Sequence, residues 1–453
     1  MLNITILLLT RILIEIGRTL LDLVFTIVLI ILIIYALRYY ILSVGALLWK
    51  EPKRKFQVNL KPDQYPKFSI LIPMHNEEKV VATTLDAILK INYPKDKIEV
   101  VCIDDASTDR TGEICEQYRA RFPQIFKVVH RPREAVRGKA AALNDGLDHA
   151  TGDYIVIFDA DHKAHPEILN RFLAKFLEAD DPRLGAVQGS TRYINEDENL
   201  ITKIIAKERD PCLLVYLRGE KRLNLLPYTA GSAVCFKREV FEKIGKFNVE
   251  SVTDDTDFST RMYLAGYRVE VEPEAYTYEE AINNLRALRR RTYRWARGHT
   301  KVMLDYWKQM ARNPYLTLKQ RIWGLIFLAY YTIPTIILVG MILYGLSFVY
   351  PLRAFLINWT LESWLIFTLY YLIFTLSSIL TMMAVGMILR RRSLKDLWVY
   401  GYMILIAPMN IIICTKALLD LALKRPYVWA KTPRSGVITA RIGEGNASTG
   451  TQA

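Results

Sequence analysis

Long apolar runs near both ends of the chain constrain most strongly what this sequence can fold into. Residues 20–49 contain an uncharged stretch from Leu23 to Leu37, and they are long enough to cross a hydrocarbon core of about 30 Å. Further runs of spanning length lie at 322–350, 363–389 and 397–423. The sequence therefore predicts a membrane protein with transmembrane helices at both ends.

The run 397–423 has two interpretations. Pro408 lies at its centre and Asp420 in its second half, and the basic tail that follows favours the cytoplasmic side of a membrane. Either the run is a bent, re-entrant or interfacial segment, or it crosses the membrane and the tail lies outside despite its charge. At the other end of the chain, residues 1–17 are apolar but carry charges, which suits an interfacial helix or an extension of the first span.

The basic residues cluster beside the apolar runs. The chain has 60 Lys and Arg against 46 Asp and Glu, a formal net charge of +14, and the excess lies in residues 50–55, 283–314 and 390–441. Because basic loops stay on the cytoplasmic side, this pattern predicts a multi-pass protein of the cell membrane, in contact with the lipid bilayer and with its central region in the cytoplasm. The basic stretches adjoin membrane spans and lack stacking aromatics on a sheet, which argues against binding of nucleic acid.

The central region, residues 66–280, alternates apolar strands with helical patterns. Candidate strands lie at 68–74, 98–104, 126–130, 153–158, 184–188 and 267–272. Candidate helices lie at 77–90, 109–121, 138–149 and 166–178. Strands rich in Val and Ile with helices between them predict an α/β fold with a buried, mainly parallel sheet. Ligands of such sheets bind at the carboxyl ends of the strands, and the acidic motifs of this chain lie at such ends.

The first two strands end in polar motifs. The first runs into Pro-Met-His-Asn-Glu at 73–77, and the second into Asp-Asp-Ala-Ser-Thr-Asp at 104–109. Two interpretations of the second motif are open. Ser107 or Thr108 caps a helix that begins with Asp109, or the two leading carboxylates hydrogen-bond a base or a ribose.

Two aspartates follow the fourth strand. Asp159 and Asp161 come directly after the apolar residues Tyr-Ile-Val-Ile-Phe and leave the sheet at its edge. Carboxylate oxygens suit a hard divalent cation such as Mg²⁺ or Mn²⁺, and such a cation neutralises a diphosphate. The pattern therefore indicates a metal site.

A further acidic motif and a basic segment lie later in the chain. Residues 253–257 read Thr-Asp-Asp-Thr-Asp before an amphipathic helix; a helix N-terminus explains part of this motif, and a general base acting on an acceptor hydroxyl is the alternative. The segment 286–299 is rich in Arg. It suits an interfacial helix that binds anionic lipids, or a site in which Arg291 and Arg294 bind a leaving diphosphate and Trp295 stacks on a sugar ring.

Six motifs occur in a fixed order, namely P-M-H-N-E, D-D-A-S-T-D, G-K-A-A-A-L-N, D-A-D, T-D-D-T-D and R-T-Y-R-W. With the flanking spans and a W-x-K-T sequence at 429–432, they resemble the membrane-bound family 2 glycosyltransferases, the group of cellulose, hyaluronan and poly-N-acetylglucosamine synthases. The resemblance implies a GT-A catalytic domain, Rossmann-like with a mainly parallel sheet, flanked by transmembrane α-helices. It also implies a nucleotide-diphosphate sugar donor, a divalent cation, and an acceptor that is lipid-linked or a growing polysaccharide.

The resemblance assigns roles to individual residues. The base and ribose of the nucleotide would be bound by Pro73, His75, Glu77, Asp104 and Asp105. Lys139 would approach the nucleotide or its phosphates, and Asp159 with Asp161 would hold Mg²⁺ or Mn²⁺. Asp255 would be the general base of a single displacement that inverts the anomeric centre.

The remaining motifs concern the acceptor and the diphosphate. Gly231 and Ser232 resemble the element that lines the acceptor site, and the family pattern Q-x-x-R-W is matched by Arg291, Arg294 and Trp295. Two residues depart from the family: Asp254, a further substrate-binding candidate, stands where Glu is usual, and Arg291 stands where Gln is usual. Only two or three C-terminal spans follow, fewer than in the large polymer-secreting members.

These inferences divide the chain into five parts: an N-terminal interfacial or transmembrane helix (1–50), a cytoplasmic GT-A catalytic domain (51–280), an Arg-rich interfacial helical segment (281–318), a C-terminal transmembrane region (319–425) and a partly disordered tail (426–453). The expected function is that of an integral-membrane, metal-dependent, inverting glycosyltransferase. Two alternatives are a non-catalytic membrane protein that binds a nucleotide and, among enzymes, a processive polysaccharide synthase. The small membrane region favours a lipid acceptor.

Overall fold

The computed structural model describes residues 2–49, 58, 60–179, 181–349, 360–389, 393 and 397–426. Several sequence features lie outside these described residues. They are the basic cluster at 50–55, the basic residues Arg390–Arg392 and Lys395, and the tail from residue 427 with its W-x-K-T sequence.

Within the described residues, eight strands form one sheet. They are β1 (Phe68–Met74), β2 (Ile98–Asp104), β3 (Phe126–His130), β4 (Tyr154–Ile157), β5 (Lys163–Ala164), β6 (Leu184–Tyr193), β7 (Val234–Lys237) and β8 (Arg268–Glu279), in the spatial order β3-β2-β1-β4-β7-β6-β8-β5. Strands β1 to β4 pair in parallel, and so do β6 and β8. Strand β7 is antiparallel to β4 and β6, because it begins at the edge where β4 ends and Val234 lies opposite Ile157. The predicted α/β fold with a mainly parallel sheet is confirmed.

Helices cover both faces of the sheet. One face carries α2 (Val81–Leu89), α3 (Thr111–Arg121) and α5 (Ile168–Ala179), and the other carries α4 (Lys139–His149), α7 (Arg238–Ile244) and α8 (Asp254–Leu264). Alternate residues of one strand enter the two cores: Ile70 and Ile72 lie in one, and Leu71 lies in the other. Each such side chain contributes about 1.5–3 kcal/mol by leaving water, which explains why these strands are continuous apolar runs.

The sequence located β1, β2 and β3 at their observed bounds and missed two strands. Strands β5 and β7 have two and four residues, too few for a periodic pattern. Strands β6 and β8 extend beyond the predicted ranges 184–188 and 267–272. Helix α2 begins later than predicted, at Val81; the N–H groups of Glu77 and Glu78, in the preceding loop, donate to Thr111 Oγ1 and Asp109 Oδ2.

Among the residues that the structure describes, four helices contain segments that are long and apolar enough to cross a membrane. They are α1 (Leu2–Leu48), α11 (Ile333–Val349), α12 (Leu361–Leu389) and α13 (Val399–Ala422), and the segments are Thr10–Leu48, Tyr330–Ser347, Leu361–Leu389 and Gly401–Ala422. Residues 2–17 continue into the first span as one unbroken helix, and their position at the interface or within the span stays a prediction. Helix α13 continues through Pro408, and the side of the membrane on which it ends stays a prediction.

Three helices connect the sheet to the membrane segments: α6 (Leu200–Arg222), α9 (Leu285–Arg312) and α10 (Leu318–Leu328). Helices α1 and α6 touch through their backbones, since a Cβ on Gly219 would lie 2.6 Å from the carbonyl oxygen of Leu42. The core on the α4 face of the sheet also includes Leu42 of α1 and Met382 of α12. The sheet and the candidate membrane helices α1 and α12 therefore share one apolar core.

Candidate active site

The two aspartates that follow β4 lie together with a histidine. Ligand atoms of Asp159, Asp161 and His162 all lie within 4.8 Å of one another. Asp161 and His162 are buried and Asp159 is half-buried. Two carboxylates and an imidazole at this spacing form a donor set that fits a divalent cation.

His162 was not among the predicted site residues, although it directly follows the D-A-D motif. Its Nε2 donates to Glu279 Oε2 at 3.1 Å, and the hydroxyls of Ser232 and Thr277 lie 3.1 and 2.8 Å from its Nδ1. Burial opposes a charge on this ring, but the neighbouring carboxylates, Glu279 first, raise its pKa above the ordinary value. Because both ring nitrogens have protein partners and Nε2 also lies 3.9 Å from Asp159 Oδ2, His162 is suited to hold Asp159 in place.

Lys139 lies at the start of α4 and connects two parts of the site. Its Nζ donates to Asp159 Oδ1 at 2.5 Å and to the carbonyl oxygen of Gly231 at 2.8 Å. Burial opposes the charge of Lys139, but the charges of Asp159 and Asp254 raise its pKa; likewise Lys139 lowers the pKa of Asp159 against the effect of burial. The preceding residue, Gly138, has φ of 118°, a conformation that lets the loop enter the helix at this point.

The turn before β7 forms the opposite wall. The hydroxyl of Ser232 accepts the N–H of Asp159 at 2.9 Å, so the turn is fixed to the end of β4. Gly231 has φ of 74°, and a Cβ on it would lie 3.1 Å from Asp255 Oδ2. Glycine at this position allows the chain to approach the Asp255 carboxylate closely.

The acidic motif at 253–257 occupies the first turn of α8, with Thr253 as N-cap residue but without a side-chain cap. Burial raises the pKa of Asp254 to about 6 and also raises the pKa of Asp255. Asp257 has a structural role, because it pairs with Arg261 at 2.9 Å and accepts from Tyr306 at 3.1 Å. Asp254 and Asp255 therefore are the half-buried carboxylates that face the site.

Helix α9 brings the arginine motif to α8. A Cβ on Gly298 would lie 2.6 Å from Thr253 Oγ1, so the two helices are in contact at this glycine. The positive charge of Arg294 offsets part of the effect of burial on the pKa of Asp255, so these two predicted site residues lie within electrostatic range of each other. The guanidinium of Arg291 lies 4.7 Å from the centre of the Trp295 ring, and these two residues form a cation–π pair.

The loops after β1 and β2 meet where a nucleotide was predicted. His75 Nδ1 lies 2.9 Å from the carbonyl oxygen of Asp105, and Pro73 lies within β1. Asp105 forms an ion pair with Arg131 and accepts the N–H of Gly138 at 3.2 Å. Arg131 was not predicted, because it lies 26 residues away in sequence and belongs to no motif.

Asp104 serves the fold of its own turn. It accepts the N–H of Ser107 at 3.0 Å and lies 3.1 Å from His130 Nδ1. The suggested cap at Ser107 or Thr108 is wrong, since α3 begins at Thr111 and Asp109 accepts the Thr111 N–H at 2.9 Å.

The loops and the D-A-D motif lie in a stretch that matches a known family. The family model of Glycosyl transferase family 2 matches residues 69–245. The chain carries a glycosyltransferase family 2 domain. This domain includes Asp105, Lys139, Asp159 and Gly231 of the site, and the resemblance drawn from the motifs is confirmed.

Curated relatives of this family 2 domain include three kinds of protein. The chain is 33% identical over 255 residues to the probable glycosyltransferase YdaM of Bacillus subtilis (56% of this chain, 60% of the relative). It is 31% identical over 251 residues to a beta-monoglucosyldiacylglycerol synthase of Synechocystis sp. (55% and 51%). It is 28% identical over 296 residues to a poly-beta-1,6-N-acetyl-D-glucosamine synthase of Staphylococcus epidermidis (65% and 68%). The chain thus spans between half and about two thirds of the length of these relatives.

A solved structure supports the GT-A-like fold of the family 2 domain. The mannosyltransferase PcManGT from Pyrobaculum calidifontis, in complex with GDP-Man and Mn²⁺, superposes with a TM-score of 0.57 at 21% identity, over 90% of this chain and 100% of that chain. The predicted fold class is confirmed: a GT-A-like domain joined to helices of membrane-spanning length.

Proposed function

We propose that the protein is an integral-membrane glycosyltransferase that moves a sugar from a nucleotide-diphosphate sugar to a hydroxyl of a membrane-borne acceptor. One observation carries this proposal. Lys139 contacts both Asp159 and Gly231 of the family 2 domain, and a Cβ on Gly231 would lie 3.1 Å from Oδ2 of Asp255, which follows that domain in sequence. The candidate metal ligand and the candidate base therefore lie on two sides of one lysine.

Asp159 and Asp161 are the proposed ligands of Mg²⁺ or Mn²⁺, and His162 holds Asp159 in place. Oxygen donors suit either ion, and Mn²⁺ has support from the structure of PcManGT, which holds this ion with GDP-Man. When bound, the cation neutralises charge on the diphosphate leaving group. Side chains of the protein carry out the other steps.

The proposed reaction is a single displacement. The acceptor oxygen forms a bond to the anomeric carbon as the bond from that carbon to the diphosphate oxygen breaks, and the hydroxyl proton passes to Asp255. The raised pKa of Asp255 suits a carboxylate that takes a proton near neutral pH. Lys139 and Arg294 supply positive charge next to the developing diphosphate. A single displacement of this kind inverts the anomeric centre, because the acceptor oxygen attacks on the side opposite to the departing diphosphate.

We further propose that the acceptor is a lipid or a lipid-linked glycan. The imidazole of His299 lies 3.3 Å from Thr256, the neighbour of Asp255, and its ring centre lies 4.9 Å from that of Tyr331. Tyr331 belongs to the candidate span Tyr330–Ser347, so one side chain separates the base region from a membrane segment. The relative that makes a monoglucosyldiacylglycerol supports this class of acceptor, and the polysaccharide synthase keeps a growing polymer as the second candidate. The proposed topology is multi-pass in the cell membrane with a cytoplasmic catalytic domain.

The test uses purified full-length protein in lipid nanodiscs with radiolabelled UDP- and GDP-sugars and either Mn²⁺ or Mg²⁺. Transfer into a product that organic solvent extracts supports the lipid acceptor, and a product that stays at the origin of a chromatogram supports a polymer. Asp255→Asn should lower transfer by at least about a thousandfold while the donor still binds. Asp148→Asn, a change at an exposed residue of α4, is the control. If no sugar in the panel is transferred or hydrolysed and nucleotides still bind, the non-catalytic alternative replaces this proposal.

A further inference from the structure

A histidine outside the recognised motifs lies behind the proposed base. The Nε2 of His299, on α9, lies 3.3 Å from Thr256 Oγ1. Thr256 in turn holds Asp255, since its N–H donates to Asp255 Oδ1 at 2.7 Å and its Oγ1 lies 3.3 Å from the same oxygen. Three side chains from two helices thus form a chain of polar contacts that ends on one carboxylate oxygen.

The protonation state of His299 determines which groups donate and which accept in this series of polar contacts. Burial lowers the pKa of His299 to about 4, so the imidazole is neutral near pH 7 and carries one N–H. Its Nδ1 is buried, and among the described residues it has no hydrogen-bond partner. A buried acceptor without a partner is more common than a buried N–H without one, which puts the proton on Nε2. The Nε2–H then donates to Thr256 Oγ1, and the Thr256 hydroxyl donates to Asp255 Oδ1.

The two oxygens of Asp255 therefore have different surroundings. Oδ1 accepts from the N–H and from the hydroxyl of Thr256. Oδ2 is the atom that a Cβ on Gly231 would approach to 3.1 Å, so it points toward the turn that Lys139 contacts. The two hydrogen bonds from Thr256 to Oδ1 fix the carboxylate and leave Oδ2 directed at the site.

We propose that His299 is a positioning residue, which acts through the hydroxyl of Thr256 to orient Asp255 for removal of the acceptor proton. This inference rests on the proposed function, because it takes Asp255 as the base. The ring of His299 is itself held from the membrane side: its centre lies 4.9 Å from that of Tyr331 and 5.9 Å from that of Phe327. The orientation of the base thus depends on packing against the start of a candidate membrane span.

The other charged groups around Asp255 stay in place when His299 is changed. They are Lys139 of α4, Arg294 of α9 and Asp254 of α8, each of which influences the pKa of Asp255 or of its neighbour. A hydrogen bond to the ionised carboxylate lowers its pKa. Loss of the hydrogen bond from the Thr256 hydroxyl should therefore raise the pKa of Asp255 and move the acidic limb of the rate profile to higher pH. The effects of the three charged groups on that pKa should stay unchanged.

The experiment compares four variants in the transfer assay. His299→Leu removes the N–H, His299→Gln keeps a donor near the position of Nε2, Thr256→Val removes only the hydroxyl, and the fourth combines His299→Leu with Thr256→Val. We expect His299→Leu and Thr256→Val each to lower kcat roughly tenfold to a hundredfold, with KM for the donor changed by less than about threefold. His299→Gln should recover most of the activity. The double variant should be no slower than the slower single variant, since both changes break the same chain of contacts.

Distinct outcomes overturn the inference and the proposed function. If His299→Leu and Thr256→Val keep the kcat and pH profile of the unchanged protein while Asp255→Asn is inactive, the positioning role is wrong and the function stands. If His299→Gln is as slow as His299→Leu and the two single effects multiply in the double variant, His299 is only a packing residue. If Asp255→Asn transfers sugar at the normal rate, the base assignment itself fails. Thr256→Val changes few atoms, so it provides a result even where His299→Leu does not fold.

Discussion

Lys139 Nζ donates to Asp159 Oδ1 at 2.5 Å, and this bond joins the start of α4 to the end of β4. The same ammonium group contacts the carbonyl oxygen of Gly231 at 2.8 Å. It is thus the cation that lies between the carboxylates after β4 and those at the start of α8. Its position lets it balance carboxylate charge, and under the proposed function it would also contact the anionic donor.

Replacing Lys139 tests this role. Lys139→Met keeps an unbranched side chain one atom shorter and removes the charge, and we expect it to lower kcat/KM for the donor by about a hundredfold or more, the usual effect of losing one charge-stabilising donor. Lys90→Met, at an exposed residue at the end of α2, is the matched control and should keep normal activity. Steady-state transfer rates at several donor concentrations give the measurement. A Lys139→Met protein with more than about a tenth of normal kcat/KM would show that the charge is dispensable.

Gly231 offers a second test, because a matched glycine exists. Gly231 and Gly245 both have positive φ, 74° and 81°, so Ala at either position costs about 1 kcal/mol in backbone strain. A Cβ on Gly231 would also lie 3.1 Å from Asp255 Oδ2, whereas no atom lies within 4 Å of a Cβ on Gly245. We expect both variants to lose similar thermal stability but only Gly231→Ala to lose transfer activity, by roughly tenfold or more. Equal activity of the two variants would contradict a close role of this turn at Asp255.

The sheet and the acidic part of the site could be predicted from the sequence for one physical reason. Parallel strands buried on both faces must be apolar runs, so β1 and β2 could be recognised, and polar residues at their carboxyl ends had to meet at one edge. Asp159 and Asp161 were located this way. Strand β7 has four residues, too few to be recognised from sequence. Its antiparallel direction depends on the edge of the sheet at which the preceding turn joins it, and no local sequence pattern encodes this.

The partners of the site residues could not be predicted. His162 bonds Glu279, which is 117 residues later, and Asp105 pairs with Arg131, which belongs to no motif. Such pairs form because the fold brings β8 and the loop after β3 to the site. His299 lies beside the arginine motif in sequence, yet its contact with Thr256 exists only because α9 packs on α8. The signal that could have directed attention to it was a histidine on the helix that carries Arg294.

Glu99 provides a prediction about stability and pH. Burial by itself would raise the pKa of this β2 carboxylate, but hydrogen bonds from Ser69, the N–H of Thr151 and Lys127 lower it to about 2, from an ordinary 4.5. A depressed pKa contributes stability above the ordinary value, and this contribution is lost as the pH falls from about 4.5 to about 2. We expect Glu99→Gln to cost about 2 kcal/mol at pH 7 and to lower Tm by roughly 3 °C or more. Thermal melts of the full chain in detergent should show that the difference in Tm between Glu99→Gln and the unchanged protein narrows below pH 4.5.

The control for that prediction is Glu113→Gln. Glu113 forms an ion pair with Arg110 at 3.1 Å, but its side chain is 55% exposed, against 3% for Glu99. Exposed pairs of this kind contribute little, so the control should melt within about 1 °C of the unchanged protein at pH 7. If Glu99→Gln also melts within about 1 °C of the unchanged protein, the buried network around Glu99 adds nothing measurable to the stability of the sheet.

The contact between Gly298 and Thr253 links the packing of two helices to the proposed chemistry. A Cβ on Gly298 would lie 2.6 Å from Thr253 Oγ1 and 3.0 Å from Thr253 Cβ, closer than Cβ atoms approach other atoms in folded proteins, so we expect Gly298→Ala to move α9 away from the start of α8. Because Arg294 and His299 lie on α9 on either side of this glycine, the shift should weaken their action on Asp255 and lower kcat roughly tenfold to a hundredfold. Thr253→Ala in the same protein removes two of the three atoms in the way and should restore part of the activity, whereas Gly345→Ala, at a helical glycine with no atom within 4 Å of its Cβ, should have no effect. The measurement is the kcat of these three proteins and of the unchanged one. If Thr253→Ala does not raise the activity of the Gly298→Ala protein, the loss of activity does not arise from the contact between these two residues.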